Sequence, residues 1–136
     1  MNDLIHDSKL DHITVDLNMR PLLMECLNEL KTKFQIVTFT ASDKVYADAI
    51  IDFIDPFGDI FSYRLYRQSC IETEFGLIKD LRVIRNRKMS DMIIIDNSAL
   101  SFAFNVNNGI PILPYINNEE DEELKHLTFY LNCLQD

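Results

Sequence analysis

Two short apolar runs end in side chains that can do chemistry. FQIVTF, residues 34–39, is followed by Thr40, and MIII, residues 92–95, is followed by Asp96 and Asn97. Runs of β-branched and aromatic residues of this length read as strands, and open parallel sheets gather ligands at the carboxyl ends of their strands. Right-handed crossovers make the two strands parallel, so a hydroxyl and a carboxylate are expected at one sheet edge. Taken singly, each has a plainer reading. A Thr after a strand starts many turns, and Asp-Asn-Ser commonly forms a turn or a helix cap.

Several chemistries are disfavoured. There is no glycine-rich phosphate loop, which leaves nucleotide binding of the P-loop or Rossmann kind unsupported. No Gly-x-Ser-x-Gly elbow is present. His6, His12 and His126 lack metal-ligand spacing. Cys26, Cys70 and Cys133 are odd in number and widely separated, so neither a disulfide framework nor a zinc ribbon is expected and a reducing, intracellular compartment is the simpler reading. A net charge of -9 argues against a general nucleic-acid or membrane-surface binder. The charge is uneven, however: seven basic residues between Arg64 and Lys88 face only Glu72, Glu74 and Asp80, whereas Glu119 to Glu123 is an unbroken acidic run. A local anion site can exist in such a protein. No apolar run approaches a membrane span, and the N-terminus is too polar for a signal peptide.

The elements that must hold these residues follow from periodicity. At 136 residues the chain reads as one domain, 1–136, without an internal boundary or repeat. Leu22, Leu23, Cys26, Leu27 and Leu30 fall on one helical face, with Pro21 expected in the first turn. After the 34–39 strand, Ser42 is expected to cap a second helix whose Val45, Tyr46, Ala49, Ile50, Phe53 and Ile54 keep a 3.6 period, ended by Pro56 and Gly58. FSYRLYR should be a strand with Phe61, Tyr63 and Leu65 on one face. Residues 92–96 should be buried on both faces. Ile110-Pro111-Ile112 is expected at a sheet edge, because proline cannot donate to a ladder. A last helix should start in the acidic run, where negative charge suits the helix dipole, and carry Leu124, Leu127, Leu131 and Leu134 inward. The fold class is α/β, a parallel sheet with helices on both faces.

The ordered segments MRP, IVTFTAS, YAD, YRLYRQSC, LIKDL, IIIDNS and NGIPI give the chain a more specific likeness. From about Ile13 onward it resembles the small phosphatases that act on the C-terminal domain of RNA polymerase II, the NLI-interacting-factor-like and Dullard branch of the haloacid dehalogenase superfamily. The resemblance implies a haloacid-dehalogenase-like sheet and a phosphoryl transfer to an aspartate with Mg2+ as cofactor. It implies that Thr40 hydrogen-bonds the phosphoryl group and that Lys79, otherwise read as a solvated surface lysine, neutralises its oxygens. Asp96 and Asn97 would hold the metal. Arg67 would contact the phosphopeptide, with a structural salt bridge as the equal alternative. Cys70 reads as a packed thiol and Arg82, Arg85, Arg87 and Lys88 as a solvated loop. The implied partner is a phosphoserine or phosphothreonine protein or peptide in the nucleus or cytoplasm, with no direct nucleic acid.

One departure matters. The family reaction starts from Asp-x-Asp-x-Thr or Val on the first strand, and no Asp-x-Asp occurs in this chain. Asp16-Leu17-Asn18 is rejected as a substitute because MRP follows at once and because Asn18 cannot act as a carboxylic acid; Asp16 is expected in a hairpin strand. In the superfamily that first strand is central, between the strands ending at Phe39 and Ile95, and residues 2–5 are too short and polar to replace it. The expectation is a truncated domain, inactive as it stands, whose two strands either close up or accept another segment. A homo-oligomer by strand exchange is one such outcome. The alternative function is a pseudophosphatase that binds phosphopeptides or partners without turnover.

Overall fold

The computed structural model describes residues 17–134. Three helices, α1 (Leu23–Leu30), α2 (Lys44–Ile54) and α3 (Glu123–Cys133), alternate with six short strands: β1 (Ile36–Phe39), β2 (Phe61–Leu65), β3 (Ile71–Thr73), β4 (Gly76–Ile78), β5 (Ile94–Asp96) and β6 (Gly109–Pro111). The strands form three pairs: β1 parallel to β2, β3 antiparallel to β4, and β5 parallel to β6. Asp16 and residues 2–5, on which two of the sequence expectations fall, lie outside the described residues.

The main core is a helical seam. Cys26 and Leu30 of α1 meet Leu124, Leu127 and Leu131 of α3, and Phe34, Ile36, Ile95 and Ile110 rest on this cluster. The sequence periodicity of both helices is therefore the contact that holds them, since residues three and four apart share a face. Because Ile36 belongs to β1 and Ile95 to β5, the two parallel pairs lie on one helical platform. Among the described residues no ladder joins β1 to β5, so the two strands have not closed up against each other.

Local chemistry moves several expected boundaries. Leu22 takes a left-handed conformation, φ 67°, ahead of α1, so Pro21 serves the preceding turn rather than the first helical turn. The N-cap of α2 is Asp43 rather than Ser42; the Ser42 N-H donates to the Thr40 hydroxyl, and its carbonyl accepts the Arg67 N-H. The buried face of α2 is Ala47 and Ile51, packed on Tyr66 and Phe61. Val45, Tyr46 and Phe53 are exposed, so the apolar period of this helix marks a face that the described residues do not cover. In β2, Tyr63 is 65% exposed while Tyr66, just past the strand, is buried. Ile94 is buried with Leu81 and Phe102 while Ile95 rests on the α1–α3 cluster, so both faces of β5 are packed, and Ile93 just ahead of the strand is exposed. Leu134, expected inward, is exposed beyond the end of α3. Pro111 lies on β6, which among the described residues pairs with β5 alone.

The hairpin β3–β4 carries no sequence expectation. It turns through Glu74 and Phe75 into Gly76, whose φ of 130° is a conformation open to glycine and rarely to other residues. Gly109 is tighter still. A Cβ built there would meet Phe102 Cδ2 at 2.2 Å, in the cluster that also holds Leu81 and Ile94. Gly109→Ala is accordingly expected to lower stability by about 1–3 kcal/mol, the usual cost of overpacking. Thermal unfolding of the variant checks this, and an unchanged Tm would contradict the close approach.

Candidate functional site

Lys79 is positioned by what surrounds it in the chain. It follows Ile78, which is 2% exposed at the end of the hairpin, and its own N-H donates to the Ser101 carbonyl at 2.7 Å. On its other side the buried Asp80 caps a 3-10 turn, accepting the Arg82 backbone N-H at 3.0 Å and chelating the Arg82 guanidinium. The Arg82 hydrogen bonds hold the Asp80 carboxyl below the usual carboxylate range, against an opposing push from burial. Buried Asn105 accepts the Leu81 N-H at 2.8 Å. With its backbone fixed on both sides, Lys79 extends its ammonium to Asp96.

That contact is the centre of the site. Lys79 Nζ lies 2.6 Å from Asp96 Oδ2, with side chains 14% and 9% exposed. Asp96 Oδ1 accepts the Ser98 N-H at 2.9 Å, and the Asp96 carbonyl accepts the Ile112 N-H at 3.1 Å. The carboxylate is thus aimed by the turn that follows it and by the strand beside it. Lys79, Asp96 and Asn97 line one cavity of ≈ 260 Å³, together with Arg20, Ile112 and Tyr115. A larger opening of ≈ 440 Å³ near Met89, Ile93 and Tyr130 contains none of the expected residues and no charged group.

Thr40 does not line this cavity. Its N-H donates to the Leu65 carbonyl at 2.9 Å, and its carbonyl is 3.8 Å from Cys70 Sγ. Burial pushes the Cys70 thiol up, and the Lys79 and Arg67 cations partly offset this. Cys70 is thus in contact with Thr40 and feels the charges of Lys79 and Arg67. Its raised pKa agrees with the reading of a packed, unreactive thiol.

Arg67 reaches back to the same loop. Its Nε donates to the Ala41 carbonyl at 2.8 Å, and Nη1 lies 3.6 Å from Asp43 with the side chain 57% exposed. The structural ion pair and an accessible guanidinium coexist at this position. The rest of the basic segment is partly engaged: Arg64 pairs with Asp48 and Asp52, and Arg87 donates to Gln35.

The sequence reading missed a role for Arg20. Its Nε and Nη2 both donate to Asp121, at 2.8 Å each, and its guanidinium sits 5.7 Å from the Tyr115 ring centroid. Asn18 completes the clasp, donating to the Ile116 carbonyl at 2.7 Å. The only sequence signal was the MRP motif; its partner lies 101 residues away, beyond any local pattern.

Among the described residues, no group of three or more His, Cys, Asp or Glu could hold a metal. Asp96 and Asn97 nonetheless offer a carboxylate and an amide oxygen at the mouth of one cavity. Hard oxygen donors of this kind suit Mg2+, which keeps several waters and takes one or two carboxylates plus phosphate oxygens. The pair fits as the protein part of such a site.

Comparison with known proteins adds the family context. The model for NLI interacting factor-like phosphatases matches residues 2–136. "CTD small phosphatase-like protein 2" of Dictyostelium discoideum is 43% identical over 115 residues, covering 85% of this chain and 20% of that protein. "CTD small phosphatase-like protein 3" of Caenorhabditis elegans is 36% identical over 120 residues, with 88% and 42% covered. "Nuclear envelope morphology protein 1" of Schizosaccharomyces pombe is 36% identical over 119 residues, with 88% and 25% covered. The chain thus spans between a fifth and about two fifths of the length of these relatives. Among solved structures, that of Fcp1, described as an essential RNA polymerase II CTD phosphatase, superposes with a TM-score of 0.63 at 24% identity, covering 88% of this chain and 34% of that one. This likeness shows the fold, the α/β architecture of the haloacid dehalogenase type.

Proposed function

The chain belongs to the NLI interacting factor-like phosphatase family, and from that premise we propose that its cavity receives the phosphoryl group of a phosphoserine or phosphothreonine peptide. The observation that carries this is the Lys79–Asp96 ion pair at 2.6 Å, held at the carboxyl end of β5. A part-buried cation that is paired but not enclosed can change partners when an anion arrives. Lys79 would then neutralise phosphoryl oxygens, the charge stabilisation that phosphoryl transfer needs. Thr40, beside Cys70 at the end of β1, would add its hydroxyl and backbone N-H. Arg67, exposed next to the same loop, would steer the flanking peptide. Asp96 and Asn97 would hold Mg2+, which when bound supplies Lewis-acid stabilisation of the phosphoryl oxygens.

These 136 residues contain no Asp-x-Asp, so the attacking carboxylate and its acidic partner are not among them. The chain as given therefore binds the phosphoryl group without turnover, as a single incomplete phosphatase domain. The same absence favours the second reading, a pseudophosphatase that recognises phosphopeptides or protein partners. Relatives named for the nuclear envelope support an intracellular, nuclear or cytoplasmic place of action. Unpaired edges of β1 and β5 among the described residues support self-association by strand exchange, and light scattering over a concentration series tests that part.

The function itself is tested by two measurements on this chain with Mg2+ present. Inorganic phosphate should bind, and an aryl phosphate should not be hydrolysed. Turnover that Asp96→Asn abolishes would show an attacking group within these residues and overturn the inactive reading. Absence of phosphate binding would overturn the site.

A further inference from the structure

Arg20 enters the cavity with an unused edge. Asp121 occupies Nε and Nη2, and among the described residues no hydrogen bond engages Nη1. The side chain is 10% exposed and lines the Lys79–Asp96–Asn97 cavity. The two N-H groups on Nη1 are therefore left for an anion that enters this cavity.

The charge of the cavity gives that edge a use. Lys79 is neutralised by Asp96 and Arg20 by Asp121, so the ion pairs alone leave no net charge for a dianion. Lys79 must give up Asp96 to take an anion. Arg20 gives up nothing, because the bidentate pair with Asp121 uses one edge of the guanidinium fork and leaves the other intact. That pair, the Tyr115 ring and the Asn18–Ile116 hydrogen bond also hold the group still, so little side-chain entropy remains to be lost on binding.

We propose that Arg20 is a second anion anchor of this site, donating from Nη1 to an oxygen of the phosphoryl group that Lys79 neutralises. The assignment rests on the phosphoryl reading given above and adds to it a residue outside the segments that carry Thr40, Lys79 and Asp96. It also separates two jobs on one side chain: the Asp121 edge fixes the clasp, and the Nη1 edge reads the ligand.

The experiment uses the full chain with Mg2+ and inorganic phosphate as the probe, read by calorimetry and by the NMR resonances of the arginine guanidinium groups. Phosphate is expected to shift the Arg20 resonances, and Arg20→Gln to weaken phosphate binding by about tenfold, the effect of one hydrogen bond to a charged group. Asp121→Asn, which leaves the guanidinium in place, should change the affinity less than Arg20→Gln does. Equal losses in the two variants would mean that Arg20 acts only by holding the clasp, which overturns the proposal. If Arg20→Gln does not fold, the parent chain still decides: phosphate that binds without moving the Arg20 resonances overturns this inference alone. A parent chain that binds no phosphate overturns the underlying reading as well.

Discussion

Replacing Lys79 with Met is expected to abolish phosphate binding and, in metal-free buffer, to destabilise the domain by about 3 kcal/mol. Removing one member of a largely buried ion pair leaves the other as a poorly compensated charge, and the part-buried Asp96 has its second oxygen already committed to Ser98. The figure sits at the low end of the usual range because the pair opens onto a cavity rather than being sealed. A divalent cation should then replace the ammonium at Asp96. Mg2+ is thus expected to raise the Tm of Lys79→Met more than it raises that of the parent, since a ligand stabilises in proportion to its occupancy of the folded state. Asp96→Asn should forfeit this rescue. The double variant should be more stable than the sum of the single losses allows, because neither charge is left alone. Thermal melts of the four proteins with chelator and with Mg2+ check all of these outcomes. Additive losses would show that the two groups do not depend on each other.

Asp55→Ala is expected to cost about 3 kcal/mol or more, which is a large part of the stability of a domain this size. Asp55 is 3% exposed at the C-terminal end of α2, and its carboxylate accepts the N-H groups of Asp59, Ile60 and Phe61 at 3.0, 3.1 and 3.0 Å. It closes the loop that delivers the chain into β2, so the variant would strand three donors at once. Asp55→Asn keeps one acceptor oxygen and should lose less. Burial raises the Asp55 carboxyl, but the N-H groups of Phe61, Ile60 and Asp59 together outweigh it and leave the pKa below the ordinary 3.8. A carboxyl whose folded pKa is depressed stabilises fully above its unfolded value and loses that contribution as pH falls through the folded value. Denaturant melts from neutral pH to below pH 3.8 should show an acid-side decline in the parent that is shallower in the Ala variant. A cost under about 1 kcal/mol for the Ala variant would mean that water replaces the carboxylate at all three donors.

Much of this architecture is legible in the residues, and the failures have identifiable physical causes. Cys26, Leu30, Leu124, Leu127 and Leu131 were marked for burial by spacing, and they form the seam between α1 and α3. Here a single apolar stripe on each helix leaves one solution. On α2 the helix carries two apolar faces, and periodicity selected the longer one, whereas Ala47 and Ile51 make the contact. Spacing measures hydrophobicity and does not say which surface finds a neighbour. The turn at Leu22 and the capping exchange between Thr40 and Ser42 depend on single dihedrals and hydroxyls, which sequence fixes within a residue or two at best. Thr40 and Asp96 were expected together at one edge by strand direction. The structure pairs Asp96 with Lys79 and sets Thr40 against Cys70, and both new contacts come from the segment around hairpin β3–β4, which has no alternating pattern to announce it. Arg20 and Asp121 meet across nearly the whole chain, a distance that no local rule can bridge.

Among the described residues the two parallel pairs share a helical platform but no ladder, a pair of leaves bound along one spine. Opening the leaves strains no inter-leaf backbone hydrogen bond among the described residues, so amides on their facing margins should exchange with deuterium sooner than those of the spine. Lys79 and Asp96 line the cavity beside the β5 leaf and Arg20 lines it from the segment that leads into α1, so an anion settling there would clip that leaf to the spine. Its residence time would then be set by how often the leaf lifts away.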